Sequence, residues 1–244
     1  MSVNNSDDNE INKENLEFYL REFAKVFKKL NGSRMPAEIV LVGGAAVLTN
    51  YNFRKSTGDI DAIIKSSSVV KEVIGIIGNK FKLPNDWLNT DFEKTKSYSP
   101  KLREVSVHYK TFYNILEIRT IKSEYLVAMK LMAGRDYKHD FSDIVGIFGE
   151  QQKNGNPILK ENIEKAIVTL YDKIENLPKD SIDFINKIYL NKYNYEVLFS
   201  EIKSEEENVR KLIKNYTDKF PDTIIKDNIN IIVKKLIDID KKNK

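Results

Sequence analysis

Residues 41–64 read LVGGAAVLTNYNFRKSTGDIDAII, and this stretch decides how the first half of the chain folds. It overlaps the end of a short apolar run, Glu38 to Val42, which predicts a strand that breaks at Gly43-Gly44. Ala45 to Asn50 then predicts a helix, and Asp59 to Lys65 predicts a second strand. A strand, a glycine turn, a helix and a further strand together predict a sheet with helices packed on it.

Beyond this stretch the pattern changes from mixed to helical. Val69 to Phe81 predicts a helix, and Leu102 to Tyr109 and Ile115 to Thr120 predict two more strands. Helical spacing dominates from Ser123 onward, over Glu124–Gly134, Phe141–Gln152, Leu159–Ile174, Ser181–Leu190 and Tyr195–Tyr216. The predicted fold class is therefore α+β, with a mixed sheet and packed helices followed by a C-terminal helical region.

Three regions are expected along the chain. Residues 1–30 form an N-terminal tail and an amphipathic helix that starts at Ile11, residues 31–122 carry the sheet core, and residues 123–244 are helical. The first residues lack the apolar run of a secretory signal, and no later apolar run is long enough for a membrane-spanning helix. We therefore expect a cytoplasmic protein without a membrane partner.

The composition limits the chemistry. Of 244 residues, 41% are hydrophobic and 31% are charged, which is typical of an ordinary globular protein. The chain contains no cysteine and two histidines, so disulfides and thiolate metal sites are excluded and a histidine-rich site is disfavoured. Any metal must then be bound by oxygen, which favours Mg²⁺ or Mn²⁺. The net charge of +4 permits a polyanionic partner without requiring one.

The acidic pair in GDIDAII is the first candidate site. Strand side chains alternate, so Asp59 and Asp61 share one face while Ile60 lies on the other. Two neighbouring carboxylates repel each other unless a cation lies between them, and a divalent metal bound by Asp59 and Asp61 would supply it. The alternative is a solvent-facing edge strand that begins in a turn.

The glycine pair is the second candidate. A strand that ends in Gly43-Gly44 and runs into a helix exposes backbone N–H groups, where a phosphate is favoured. A purely structural turn is the alternative, but the acidic strand downstream makes the phosphate interpretation more specific. Arg54 could bind a phosphate through two nitrogens, or could instead form an ion pair with Asp59 or Asp61.

Residues 41–64 resemble the nucleotide-binding signature of polymerase β-like nucleotidyltransferases, in which a strand, Gly-Gly or Gly-Ser, a helix and Asp-x-Asp or Asp-x-Glu follow one another. They are most similar to the bacterial branch of AbiEii/AbiGii toxin-like nucleotidyltransferases, where an Arg and a Ser or Thr precede the acidic pair, as Arg54 and Thr57 do here. Leu83–Asn89, LPNDWLN, is also similar to members of this branch.

This resemblance implies an activity. The chain would transfer a nucleoside monophosphate from an NTP to an acceptor with Mg²⁺ or Mn²⁺, and Asp59 and Asp61 would bind the metal. Gly43, Gly44, Arg54 and Thr57 would bind the nucleotide. The acceptor would be an RNA, such as a tRNA end, and the partner a cognate antitoxin in a toxin–antitoxin or phage-defence system. Lysine-rich helical segments at Lys211–Lys219 and Lys226–Lys244 suit a phosphate backbone, although acidic residues interrupt them.

A second block of resemblance is YLVAMKLMAGRDYKHDFSDI, Tyr125–Ile144. Lys130 lies in an apolar helix, so its buried ammonium needs an anion, and the resemblance implies that it contacts the nucleotide. Asp140 would position Lys130, bind metal or act as a base. The alternatives are a lysine whose charge reaches solvent and an Asp140 that caps a helix. If Lys130 contacts the nucleotide, Lys130→Met should weaken NTP binding and leave stability nearly unchanged or improved.

Two questions stay open at this level. Glu117, Asp140 and Asp143 are all candidates for a third metal carboxylate, and Glu117 could equally form a cross-strand ion pair. The function also has two alternatives. One is a degenerate module that binds a nucleotide or partner without turnover, against which the intact Asp-x-Asp argues. The other is a small-molecule, antibiotic-type nucleotidyltransferase, which would need an acidic cleft for a cationic acceptor.

Overall fold

A computed structural model describes residues 10–32, 36–65, 69–190, 194–225 and 228–242. Over these residues the fold is α+β, with a mixed five-stranded sheet, nine helices and a helical C-terminal region. This confirms the fold class predicted from the sequence. The predicted N-terminal tail over residues 1–9 lies outside the described residues, as do positions 226, 227, 243 and 244 of the second lysine-rich segment.

The sheet contains both parallel and antiparallel pairs. Its strands are β1 Ala37–Leu41, β2 Ile60–Lys65, β3 Leu88–Asn89, β4 Ser106–Phe112 and β5 Leu116–Ile121. They lie in the order β3-β2-β1-β5-β4. β1 is antiparallel to β2 and parallel to β5, β2 is parallel to β3, and β4 and β5 form an antiparallel hairpin. The central strand is therefore β1, the strand that leads into the glycine pair.

The helices agree closely with the helical spacing of the sequence. They are α1 Lys13–Asn31, α2 Gly43–Asn50, α3 Val69–Phe81, α4 Ser123–Ala133, α5 Asp140–Lys153, α6 Lys160–Tyr171, α7 Lys179–Leu190, α8 Tyr195–Lys219 and α9 Ile229–Lys242. α6 ends earlier than predicted because Asp172 has a positive φ of 68°. β4 begins later than predicted because Pro100–Leu102 forms a 3₁₀ turn after Ser99.

Backbone contacts divide the chain into two compact units. The first comprises Met1–Met129 and Glu161–Lys173, and the second comprises Lys130–Lys160 and Ile174–Lys244. The domain limits at residues 30/31 and 122/123 stay a prediction from the sequence.

The first unit is built around the sheet. Helix α1 packs against α3, with Phe23 and Phe27 fully buried on the inner face of α1. Trp87, the single tryptophan of the sequence, is also fully buried, and its indole N–H donates to the Ile74 carbonyl at 3.1 Å. The ring of Tyr19 from α1 lies 6.0 Å from that of Trp87. Trp87 therefore reports on the packing of α1 and α3.

The second unit is helical in its described residues. Helix α5 packs against α8, and α8 packs against α9. The rings of Phe141 and Phe184 are tilted by 60° to each other with their centroids 4.7 Å apart, and Tyr195 lies against Gly149. Among the described helices, none combines the length and apolar character needed to cross a bilayer.

Candidate functional site

The turn between β1 and α2 is the centre of the candidate site. Val42 precedes α2 in an extended conformation and contributes no side-chain cap, and Gly43 has a φ of +56°, a region that favours glycine. The first N–H groups of a helix have no partner within the helix. Because the first turn of α2 carries no acidic side chain either, its N-terminus is suited to a phosphate.

The loop after α2 brings two further predicted residues to this turn. A Cβ atom built on Gly44 would lie 2.6 Å from the Thr57 hydroxyl oxygen and 2.9 Å from an Arg54 guanidinium nitrogen. Only a glycine leaves room for these two side chains. Arg54 is anchored by a hydrogen bond from its Nε to the Ser56 carbonyl at 3.0 Å, and Thr57 is buried. A guanidinium and a hydroxyl therefore lie at the start of α2.

The acidic strand adjoins the same turn. A Cβ atom on Gly43 would lie 3.2 Å from a carboxylate oxygen of Asp61, and the Val42 N–H donates to the Asp61 carbonyl at 3.0 Å. Ile60 and Ala62 are fully buried and Asp61 is half-buried, as expected for alternating faces. β2 begins one residue later than predicted, so the half-buried Asp59 lies in a bend just before it, although β2 is not an edge strand. The structure thus brings Asp61 to the glycine turn on the accessible face of β2.

Asn89 is a site residue that the sequence did not predict. It pairs with Asp61 across the β2–β3 ladder, and its side-chain N–H₂ donates to Asp59 at 3.3 Å and to the Asp86 carbonyl at 3.1 Å. Its carbonyl oxygen accepts from the Asp91 N–H at 2.9 Å, which fixes the orientation of the amide. Asn89 ends the LPNDWLN segment, so resemblance pointed to the region but assigned no role to the residue.

Comparison with known families agrees with this geometry. Residues 19–148, just over half of the 244-residue chain, match the model of a family described as "Nucleotidyltransferase of unknown function (DUF6036)". The chain belongs to this family. The match begins within α1, contains the glycine turn and the acidic strand, and ends within α5. No curated protein and no solved structure gives a significant match.

The donor set fits a hard divalent cation of the kind that nucleotidyltransfer uses. Asp59 and Asp61 offer carboxylate oxygens, and Mg²⁺ is commonly held by one or two carboxylates together with substrate phosphates. Among the described residues no group of three or more His, Cys, Asp or Glu side chains is arranged to hold a metal ion. A closed, all-protein metal cage is therefore not formed by this part of the chain, and substrate oxygens would complete the coordination.

Glu117 lies elsewhere on the sheet. It is opposite Glu38 on β1 and forms an ion pair with Arg119 at 2.7 Å. Asp61 is level with Val42, four residues further along β1, which corresponds to about 13 Å at the rise of a strand. The ion pair of Glu117 therefore lies within β5, and it is not the cross-strand pair that the sequence suggested, because the residue opposite on β1 is a second carboxylate.

Within the second unit, Lys130 sits in a buried ionic network. Its ammonium lies 3.1 Å from an oxygen of Asp140 and 2.7 Å from an oxygen of Asp143, and its side chain is only 9% exposed. The sequence argument left open whether this charge reaches solvent or needs an anion. The structure shows a buried ammonium with two protein carboxylates, so its charge does not reach solvent. From these contacts we now expect Lys130→Met to lower stability, contrary to the expectation from the sequence.

Asp140 is the most strongly bound carboxylate of this network. It is fully buried and also accepts from Arg135, through the backbone N–H at 3.2 Å and the side-chain Nε at 2.8 Å. Burial alone would raise its pKa, but the charges of Lys130 and Arg135 and their hydrogen bonds outweigh it and lower the pKa to about 2. Asp140 is therefore ionised at neutral pH.

The N-terminus of α5 is capped from a distant helix. Glu206 of α8 is buried and accepts from the backbone N–H groups of Phe141 and Ser142, both at 3.1 Å, and from the Ser142 hydroxyl. A carboxylate is favoured at a helix N-terminus by the helix dipole. Sequence reasoning missed Glu206 because nothing in a glutamate-rich helix distinguishes the buried residue from its exposed neighbours.

Proposed function

We propose that this chain is a metal-dependent nucleotidyltransferase that transfers a nucleoside monophosphate from an NTP to an acceptor hydroxyl and releases pyrophosphate. One observation carries the proposal. The Asp61 carboxylate lies beside Gly43, while Arg54 and Thr57 lie against Gly44, so a cation-binding group adjoins an anion-binding turn. Membership of a family described as nucleotidyltransferase supports it.

The turn and its loop would bind the triphosphate. The first N–H groups of α2 point along the helix axis towards an approaching anion, and Arg54 can donate two hydrogen bonds to phosphate oxygens. The Thr57 hydroxyl is placed to donate a further one. These groups neutralise and orient the leaving pyrophosphate, which is the main protein contribution to this class of reaction.

Asp59 and Asp61 would hold Mg²⁺ or Mn²⁺, with the amide of Asn89 orienting Asp59. When bound, a divalent ion stabilises negative charge on the transferring phosphoryl group and favours ionisation of the attacking hydroxyl. Asp61 lies on the accessible face of β2 and Asp59 in the bend just before it, so both carboxylates adjoin the start of one strand.

A role for Lys130 and Asp140 in nucleotide binding and catalysis remains a proposal based on the resemblance. Their mutual ion pair supports the part of it in which Asp140 positions Lys130. The same contacts also explain both residues as part of the fold of the second unit, so variants at these positions need a stability measurement beside an activity measurement.

For the acceptor we propose an RNA, such as a tRNA end, with a cognate antitoxin as protein partner. The support is the resemblance to AbiEii/AbiGii toxin-like proteins and the exposure of Lys211, Lys214 and Lys219 on α8. Exposed Glu205 and Glu207 on the same helix reduce the net positive charge. RNA binding through such lysines would weaken steeply with salt.

A cavity in the second unit favours a second candidate, a small cationic acceptor. It has a volume of about 450 Å³ and an apolar floor that includes Phe141 and Phe184. Five carboxylates and one lysine also line it: Asp136, Asp180, Asp183, Glu201, Glu205 and Lys187. Burial and the neighbouring Asp180 raise the pKa of Asp136, which marks a negative potential there. An antibiotic-type activity would need such a cleft.

One experiment tests the activity and separates the acceptors. The protein is incubated with Mg²⁺ and each α-labelled NTP in turn, with total RNA or with cationic small molecules, and pyrophosphate release is measured beside the label. We expect release to fall at least about 100-fold in the Asp59→Asn, Asp61→Asn double variant. Release at the wild-type rate from the folded double variant would contradict the proposal. Label in a small molecule but not in RNA would favour the second candidate.

A further inference from the structure

The residues just before α1 form a short ladder with the loop that follows α2. The Ile11 N–H donates to the Thr57 carbonyl, and the Thr57 N–H donates to the Ile11 carbonyl, both at 2.8 Å. Ile11 is 1% exposed, so its side chain is fixed in the core as well. The Glu10 carboxylate accepts a short hydrogen bond from the Ser56 hydroxyl. We call Glu10 and Ile11 the N-terminal clasp.

The clasp is itself held by α1. The Asn15 side chain donates to the Glu10 carbonyl at 3.2 Å, and Asn12 and Asn15 cap α1 through reciprocal hydrogen bonds. Helix α1 is anchored by its buried aromatic face against α3. A continuous set of contacts therefore runs from the core of the first unit to the backbone of Thr57.

The clasped loop is the one that carries Arg54 and Thr57 to the glycine turn. Thr57 is held through its backbone N–H and carbonyl, which leaves its hydroxyl facing Gly44. The clasped Ser56 supplies the carbonyl that anchors the Arg54 guanidinium. Residues 52–58 form no strand or helix, so the bridge to the clasp is their one regular backbone pairing.

We propose that the N-terminal clasp is a positioning element for nucleotide binding, which orders Arg54 and Thr57 before the NTP arrives. This rests on the proposed function, because it assigns phosphate contacts to both residues. The clasp lies before residue 19, where the family match begins, so it is a feature of this chain beyond the matched segment. Pre-ordering a binding loop raises affinity by lowering the conformational entropy lost on binding.

A pair of truncations isolates the clasp. A chain that starts at Glu10 keeps both clasp residues, whereas a chain that starts at Asn12 lacks them but retains the N-cap of α1. Leu16→Ala is the second control, because it removes a buried side chain of α1 outside the clasp and keeps the hydrogen bonds of Glu10 and Ile11 to the loop. Fluorescence of the buried Trp87 checks the fold of each variant. If the shorter chain fails to fold, Ile11→Pro, which lacks the donor to Thr57, takes its place.

Two measurements then decide the proposal. The rate of trypsin cleavage after the exposed Lys55 reports order in the loop without any nucleotide. Titration calorimetry with Mg²⁺ and each NTP reports affinity. We expect the chain without the clasp to be cleaved faster and to bind NTP about tenfold more weakly. The chain that starts at Glu10 and the Leu16→Ala variant should resemble the full chain in both measurements.

The other outcomes overturn the proposal in distinguishable ways. Unchanged cleavage after Lys55 would show that the clasp does not order the loop. Faster cleavage with unchanged NTP affinity would show that loop order is irrelevant to the nucleotide. A full chain that binds none of the four NTPs would overturn the proposed function and the clasp's role in nucleotide binding with it, while the cleavage rates would still decide whether the clasp orders the loop.

Discussion

The chain uses carboxylates in two contrasting ways. Asp59 and Asp61 are half-buried at the start of β2, beside a turn suited to phosphate. Asp140 and Asp143 are at most 3% exposed and bind the ammonium of Lys130. A carboxylate that exchanges a metal and a substrate needs access, whereas one neutralised by buried protein cations stabilises the fold. All four residues are aspartates, so the sequence alone does not distinguish the accessible pair from the buried pair. Their burial and the chemical type of their partners do.

The largest expected effect is on the stability of the second unit. Lys130→Met removes the cation between two buried carboxylates and should lower the free energy of unfolding by about 3–5 kcal/mol. Lys122→Met is the matched control, because Lys122 is exposed just before the same helix and should change stability by less than about 0.5 kcal/mol. Urea denaturation at neutral pH measures both. If the two variants are equally stable, the buried ion pairs of Lys130 do not stabilise the second unit in the way we propose.

Residue spacing in the sequence was enough to predict the elements with a clear helical or strand period. The two-residue period placed Asp61 on the accessible face of β2, but it also predicted Asp59 within the strand, and the structure has Asp59 in the bend before it. The helical spacing of Val69–Phe81 predicted the bounds of α3. β3 was not predicted, because two residues cannot display a strand period. The sheet order and the residue facing Asp61 depend on pairing between distant segments, which spacing along the chain does not reveal.

Contacts between distant residues account for what was missed in the candidate site. Glu206 reaches Phe141 across 65 residues of sequence, and Asn89 reaches Asp59 across 30. Lys130 was recognised as a buried charge from its apolar neighbours, and its anion was sought in the triphosphate or in Asp140. Only the structure shows that the Asp140 and Asp143 carboxylates both contact its ammonium.

Substitutions at Asp59 and Asp61 should reduce activity and change stability little, whereas Lys130→Met should reduce stability. Asp61→Asn should reduce pyrophosphate release at least about 100-fold, equivalent to about 2.7 kcal/mol of transition-state stabilisation. Stability should change much less than in Lys130→Met, because the Asp61 side chain is half-buried and Asn keeps its size and polarity. Paired activity and urea measurements on one preparation test this. A large loss of stability with residual normal activity would assign Asp61 to the fold instead.

A fall in pH should lower the free energy of unfolding, because it protonates Asp140. Its pKa is about 2 in the fold, below the ordinary value of 3.8, so the ionised form is favoured by folding. The resulting stability is complete above about pH 5 and is lost as pH falls towards 2, an effect of about 2 kcal/mol. Asp140→Asn should remove this part of the acid dependence. Asp172→Asn, at an exposed carboxylate, should leave it intact. If wild type and Asp140→Asn lose the same amount of stability between pH 5 and pH 2, Asp140 is not the source of the acid dependence.

The smallest effect should appear at the glycine turn. A methyl group at Gly44 would meet the Thr57 hydroxyl at 2.6 Å and the Arg54 guanidinium at 2.9 Å, so Gly44→Ala must displace side chains that we assign to the triphosphate. We expect NTP affinity to fall about tenfold, which is about 1.4 kcal/mol. Gly75→Ala is the matched control, because a methyl group there meets nothing within 4 Å on α3. Calorimetry with Mg²⁺ and NTP compares the two, and equal affinity in both would mean that the residues packed against Gly44 serve the turn and not the nucleotide.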